Sequence, residues 1–466
     1  MQIERKFLFD GASFLAHFTH NPTKFQKDKT QKFYISLNPQ ICYIKSSNGC
    51  FLSHKKENLQ IFTISKDEFK IAQKDKIIPS LKYDAFKSQN AEFRIYKGGL
   101  SGVCIAKVLF ENENLAKEFD TNSFFSDMKF SEISNLSEFD ELNLALFGTP
   151  LGEFDTKKAW QILSKNKNLT FKIPAYLDSF EAIIFILRLI FDDIKSFKNE
   201  FLNDKNGESL HKFRISLRKF RAVLKQSREL FEPNFCNEIL KILKIIANKT
   251  NEKRDLEIFH KKLSFLNTPN LLLQTLKTSE EKANAKLENF FKSENFELFL
   301  KTLEAFLSDE NRRFGVKEYE KRAKKFIAIL LLKDIKKLKT ELKNLNENSQ
   351  NSDFHAIRIK IKNLRYALEY FTSTFNQKSL NELSKISKRS QEIFGNLQDI
   401  DLWLKFIQIY QNSLKNQNEI STFLCSFERL ILGHSVKIKQ NILENKAKFI
   451  KILNKNIKFL KIYKEI

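Results

Sequence analysis

Two segments of this chain carry the same four basic side chains in the same order. LHKFRISLRKFRAVL spans 210–224 and FHAIRIKIKNLRYAL spans 354–368. His211, Arg214, Arg218 and Arg221 in the first match His355, Arg358, Lys362 and Arg365 in the second, 144 residues on, at offsets 0, +3, +7 and +10. At 100° per residue these offsets fall at about 0°, 300°, 340° and 280°, within roughly 80° of one helix face. Phe213, Leu217, Phe220 and Leu224, like Ile357, Ile361, Leu364 and Leu368, take the opposite side. Each segment is therefore expected to be a helix with a buried apolar stripe and a basic stripe about 15 Å long, at ~1.5 Å rise per residue. Arginine presents a planar fork that matches phosphate oxygens two at a time, so such rows suit an extended polyanion. A solvated basic face would explain the charge but not the repeated register, the recurring histidine or the arginines. An anion site is the expectation.

The composition supports that choice. The chain holds fifteen arginines among 80 basic residues, and five of them lie in the windows 211–221 and 355–365. Its net charge of +24 is uneven: residues 1–173 carry 25 bases and 20 acids, which leaves 55 and 36, a surplus of 19, for the rest. The last two thirds should attract anions at long range. Five cysteines (42, 50, 104, 236 and 425) form no CxxC pair, which suits reduced thiols and a cytoplasmic setting. MQIERKFLFD has no apolar stretch typical of a signal peptide, and the most apolar runs, Ala182–Phe191 and Phe326–Leu332, are too short to span a bilayer. No membrane association is expected.

The elements that must position these residues follow from patterning. KFYISLNPQICYIK (32–45) reads as a strand, with a turn at Asn48-Gly49 and a partner strand in CFLSHKK. EFRIYKGGLSGVCIAKVLF (92–110) gives two more strands, and NENLAKEF a short helix. From Tyr176 onward the pattern is helical. The chain is thus expected to be α+β, with a β domain at 1–155, a linker at 156–173 and a helical domain at 174–466. The 144-residue repeat divides the last into halves, 174–318 and 319–466, each long enough for four helices. Asp255 and Glu257 recur as Asp399 and Asp401. Asp255 and Asp399 either orient a base of the stripe or cap and pair within a helix, and the structural role is the expected one.

The two histidine–arginine stripes, with KRDLE (253–257) and FGNLQDID (394–401), resemble the CHAD domain, a histidine-containing α-helical module of two four-helix halves. The resemblance covers about 174–466. It implies binding of inorganic polyphosphate in a basic groove or pore between the halves, carried by His211, Arg214, Arg218, Arg221, His355, Arg358, Lys362 and Arg365. Lys362 departs from the first copy's Arg218 and is a weaker bidentate donor. Asn251 stands in place of Gly395, which implies a less secure bend in the first half. Of the exposed aromatics that stack nucleic-acid bases, only Tyr366 borders the basic face.

The opening MQIERKF resembles the first strand of the CYTH domain, the triphosphate tunnel family, and the strands up to about residue 150 fit that family's later ones. The resemblance implies an antiparallel β-barrel-like domain. In that family inward acids hold a divalent metal against a triphosphate. Here Gln2 stands at the first acid of ExExK, although Glu4 and Lys6 remain, and Lys107, Leu109 and Arg94 occupy positions where acids are usual, with Glu92 as one inward candidate. The tunnel is expected to be degenerate, with no metal and no catalytic residue, while Lys6, Lys45, Lys55 and Arg94 either bind phosphate or are ordinary solvated bases. The expected function is non-catalytic polyphosphate binding without a cofactor, in the cytoplasm and at polyphosphate granules. The alternatives are a metal-dependent triphosphatase or polyphosphatase and, on charge alone, a nucleic-acid binder.

Overall fold

The structure is a computed structural model that describes residues 3–20, 24–37, 39–55, 59–125, 128–150, 155–165, 173–174, 176–204, 207–308, 322–375, 377–414 and 417–464. Gln2 lies outside the described residues. The chain divides into two compact units, residues 1–153 with 174–176, and residues 154–173 with 177–465.

The first unit is one antiparallel sheet of nine strands: β1 (Ile3–Phe9), β2 (Gln26–Leu37), β3 (Gln40–Ser46), β4 (Gly49–Lys55), β5 (Leu59–Ile64), β6 (Leu81–Lys87), β7 (Ala91–Tyr96), β8 (Cys104–Phe110) and β9 (Phe130–Glu132). Their order is β5-β4-β3-β2-β6-β7-β8-β1-β9. Helices α1 (Gly11–His20), α2 (Lys66–Ala72), α3 (Glu113–Glu118), α4 (Thr121–Phe124) and α5 (Glu141–Phe147) accompany it. Strand alternation sorts the side chains. In β8, Ala106, Val108 and Phe110 are buried in a phenylalanine-rich core, whereas Lys107 and Leu109 point to the other face. Phe14 of α1 stacks on Phe93 at 4.5 Å in that core.

Two expectations need correction here. The sheet is not closed into a barrel: β5 pairs only with β4 and β9 only with β1, so both ends are edges. Closure requires every strand to hydrogen-bond two neighbours, and β9, at three residues, is too short to complete such a wall. Residues 32–45 are not one strand either. They divide into the end of β2 and all of β3, with Pro39 in the turn between them, since its ring cannot donate to a ladder.

The second unit is helical: α6 (Thr156–Lys165), α7 (Ser179–Asp204), α8 (Gly207–Gln226), α9 (Pro233–Lys249), α10 (Asn251–Leu263), α11 (Asn270–Phe291), α12 (Glu294–Ser308), α13 (Ala323–Asn344), α14 (Asn351–Phe375), α15 (Lys378–Ser413) and α16 (Asn418–Lys464). Helix starts recur at the repeat spacing, Ser179 with Ala323 and Gly207 with Asn351, each 144 apart. The expected pair of four-helix bundles is corrected as well. Among the described residues 323–464 form four helices, but 179–308 form six, because the counterparts of α15 and α16 are each interrupted. The first break falls at Thr250, whose backbone N–H bonds to Ala247 and Ile246 carbonyls, while α15 runs through Gly395 without interruption.

Both predicted apolar stripes are buried. Phe213, Leu217, Phe220 and Leu224 are fully enclosed, as are Ile361, Leu364 and Leu368, with Ile357 2% exposed. Phe213 packs edge-on against Phe291 of α11 at 4.9 Å. Truncating such a ring leaves a cavity as well as a lost contact. We therefore expect Phe213→Ala to destabilise the helical unit by about 3–5 kcal/mol, read as an earlier urea midpoint by far-UV circular dichroism. Lys212→Ala, one position away on the exposed side, should leave the midpoint within error.

Candidate anion-binding site

The basic stripes come together because α8 packs directly against α14. Arg218 Nε donates to the hydroxyl of Tyr366 at 3.3 Å, and Lys219 pairs with Glu369 at 2.6 Å across the same contact. Burial pushes the Lys362 ammonium down to about 7, assisted by the charges of Arg358, Arg218 and Arg214. Arg214 is pushed down to about 10 by burial and by Arg218. Arg358 is lowered by burial and by Arg218, against the pull of Asp399. Four predicted residues, two from each stripe, thus form one mutually repelling cluster.

A cavity of about 590 Å³ opens on this cluster. Arg218, Arg221 and Lys225 of α8, Lys241 and Lys244 of α9, and Lys362 of α14 line it, and no acid does. Lys241 and Lys244 were not singled out from the sequence. A signal for them exists, because the pair recurs as Lys385 and Lys388 at the same 144-residue spacing. The remaining predicted residues are placed less centrally. The His211 ring is partly desolvated at the rim of the cluster, and that desolvation, with the charges of Arg254, Arg218 and Arg214, lowers its pKa. His355 bonds through Nδ1 to Gln398. Arg365 lies over the Tyr366 ring at 4.9 Å, and of the eight predicted residues only Arg218, Arg221 and Lys362 line the cavity. Arg358 Nε and Arg365 Nε are buried donors without a hydrogen-bond partner. Tyr366 itself is 2% exposed and offers no stacking surface.

Second-line groups steer the stripe. Arg214 donates to Thr250 Oγ1 at 2.5 Å, which ties α8 to the break between α9 and α10. Asp255 and Asp399 lie in the middle of α10 and α15 rather than at caps, among the bases of the stripe. Burial raises both pKa values, while Arg214 and Arg254 oppose this at Asp255, and Arg358, Arg254 and Lys362 oppose it at Asp399. Arg254 is thus a further member of the cluster that the sequence reading did not name.

The sheet unit arranges its charges differently. On its polar face Lys32 pairs with Glu141 at 2.6 Å, Lys6 with Asp140 at 2.6 Å, Arg94 with Glu92 at 2.6 Å and Lys107 with Glu4 at 3.3 Å. Arg94 also pairs with Glu141. Burial penalises the Glu141 charge, yet Arg94, Lys32 and Lys107 outweigh it and hold the carboxyl well below its usual range. Lys6 and Arg94 are therefore engaged by the unit's own acids, while Lys45 and Lys55 are exposed. Glu92 and Glu4 each face a base. Among the described residues no group of three His, Cys, Asp or Glu side chains is arranged to hold a metal ion. No helix among them is long and apolar enough to cross a membrane.

Residues 186–408 match the family profile of the CHAD domain. Among solved structures, an inorganic triphosphatase is similar at 18% identity and a TM-score of 0.26, over 33% of this chain and 97% of its own. The CHAD domain from the plant Ricinus communis is similar at 18% identity and a TM-score of 0.49, over 59% of this chain and 95% of that domain. PptA from Streptomyces chartreusis is similar at 12% identity and a TM-score of 0.46, over 58% of this chain and all of its own. No curated protein is similar in sequence.

Two outcomes follow from these charges. The folded pKa of Lys362 lies below the ~10.4 of an unfolded lysine. Between the two values the unfolded chain binds more protons, so wild-type stability should rise with pH from about 7 upward. Lys362→Met should therefore melt higher than wild type at pH 6, with an advantage that shrinks by pH 9; no gain at pH 6 would contradict the repulsion. In the sheet unit, Glu141 contributes fully above the unfolded carboxylate range near ~4.3 and loses that contribution as pH falls below it. Glu141→Gln should cost about 3 kcal/mol at neutral pH, the low end for breaking a largely buried ion pair, and flatten the acid limb of the pH–stability curve.

Proposed function

Because residues 186–408 form a CHAD domain, we propose that this protein binds inorganic polyphosphate in the cationic cavity between α8, α9 and α14, and does not cleave it. The observation that carries the reading is the cavity wall: six bases, supplied by both stripes and by α9, with no acid among them. Phosphate oxygens along a flexible chain can each take a charge-assisted hydrogen bond from such donors. They also relieve the repulsion that depresses Lys362 and Arg214. The eight stripe residues His211, Arg214, Arg218, Arg221, His355, Arg358, Lys362 and Arg365 are the proposed binding set. Arg254, Lys241 and Lys244 extend it.

No catalysis is expected of the sheet unit, where Glu4, Glu92, Asp140 and Glu141 are each held by a base of the same unit. A carboxylate held by a lysine or arginine is a poor ligand for Mg²⁺, which requires free oxygen donors. A nucleic-acid reading finds no support in the stripe, since its bordering aromatic, Tyr366, is buried under Arg218 and Arg365. We place the protein in the cytoplasm, where polyphosphate granules would concentrate its ligand.

The test is calorimetric titration with long-chain polyphosphate. Changing Arg218, Arg221, Lys244 and Lys362 together to Glu removes four bases of the cavity wall, each contact being worth about 1.5–3 kcal/mol, and affinity should fall at least a thousandfold. Unchanged affinity would overturn the proposal. Two further arms separate the rival readings: excess single- or double-stranded DNA should not displace polyphosphate, and triphosphate with Mg²⁺ or Mn²⁺ should release no phosphate above a blank.

A further inference from the structure

The two edges of the sheet differ in chemistry. β9 is short, and its Glu132 is tied to Arg5 at 2.7 Å. Brevity and charge are the usual protections of an open edge. β5, at the other end, is six residues long and reads LQIFTI, with no charge and no proline. It pairs with β4 in unbroken register from Leu59 opposite Lys55 to Ile64 opposite Cys50, and among the described residues no strand pairs with its other side. Leu59, Ile61 and Phe62 are 60%, 58% and 50% exposed. Since successive side chains alternate, Ile61 and Phe62 lie on opposite faces, so β5 offers apolar groups on both sides of an unpaired backbone. Ile71, on the helix that follows, is 63% exposed.

We propose that β5 is an interface between two copies of this chain, joined edge to edge by antiparallel β5–β5 pairing about a two-fold axis. Charge favours a second copy as the occupant. In a chain of net charge +24 most surfaces repel their own kind, whereas an uncharged hexapeptide meets itself without any like-charge contact. The flank beyond Ile64 adds no net charge to the contact: exposed Lys66 and Lys70 accompany Asp67 and Glu68 there, and Asp67 is paired with Lys70. A two-fold axis perpendicular to the strands makes the pairing antiparallel. The contact is isologous and uses up both free β5 edges, so assembly stops at two. A six-residue ladder is smaller than a standard interface of about 1,600 Å², and the dimer should dissociate in the micromolar range.

Sedimentation velocity of the full chain, from about 1 to about 200 µM, is the experiment. Wild type should pass from monomer to dimer. Ile61→Lys, and independently Leu59→Lys at the strand's end, should hold it monomeric with an unchanged circular dichroism spectrum. Val436→Lys, at a 66% exposed site on α16, should leave dimerisation intact. A wild type that stays monomeric overturns the proposal, as do species larger than a dimer or dimerisation that survives both β5 substitutions.

Discussion

Repulsion among Arg214, Arg218, Arg358 and Lys362 is the constraint on which the helical unit turns. Holding like charges on adjoining helices requires a force unrelated to charge. The apolar stripes supply it: eight buried side chains at matched offsets, each contributing roughly 1.5–3 kcal/mol. Asp255 and Asp399 soften the repulsion without cancelling it, because their own burial raises their pKa values. The result is a positive wall fixed by a core that cannot relax away from it. Buried donors at Arg358 and Arg365 remain unmatched by protein acceptors. Such a surface leaves its donors open to an anion from outside the protein, as the proposed function requires.

The sheet unit shows what the same residue types do under the opposite arrangement. Lys6, Lys32, Arg94 and Lys107 are also gathered in one unit, but Asp140, Glu141, Glu92 and Glu4 meet them one for one. Glu141 is central, since one carboxylate engages both Lys32 and Arg94. Counting bases would rank the two faces as equals. What separates them is whether acids are built into the same surface: in the sheet unit the charges are neutralised within the protein, and in the stripe they are not.

Much of the stripe was legible because helix periodicity is local. Offsets of 3, 7 and 10 fix a face whatever the rest of the fold does, and the apolar offsets beside them fixed the buried side. Lys241, Lys244 and Arg254 were not legible from periodicity, since α9 reaches the cavity, and Arg254 of α10 the neighbouring bases, only through tertiary packing. Local chemistry also misled. Gly395 suggested a bend, yet a glycine within a helix costs only about 1 kcal/mol, and α15 passes through it. The real break is at Thr250, where Arg214 captures the hydroxyl. Of the strands, β4, β7 and β8 were readable from the sequence, but β2 and β3 were merged, β5, β6 and β9 were not named, and closure was not readable. Whether two edges meet depends on strand order and length, and LQIFTI, exposed on both faces, carries no alternation to reveal it.

The departure of Lys362 from the arginine pattern then acquires a physical meaning. A fourth arginine at that position would keep its charge at any physiological pH, and the unliganded cluster would bear the full repulsion. Lysine can shed its proton, and burial beside Arg358, Arg218 and Arg214 brings that event to about pH 7. A lysine at that position thus lets the cluster relieve part of its repulsion in a way that an arginine could not. If the cluster takes a polyanion as proposed, the nearby negative charge would favour the ammonium, and proton uptake would accompany binding.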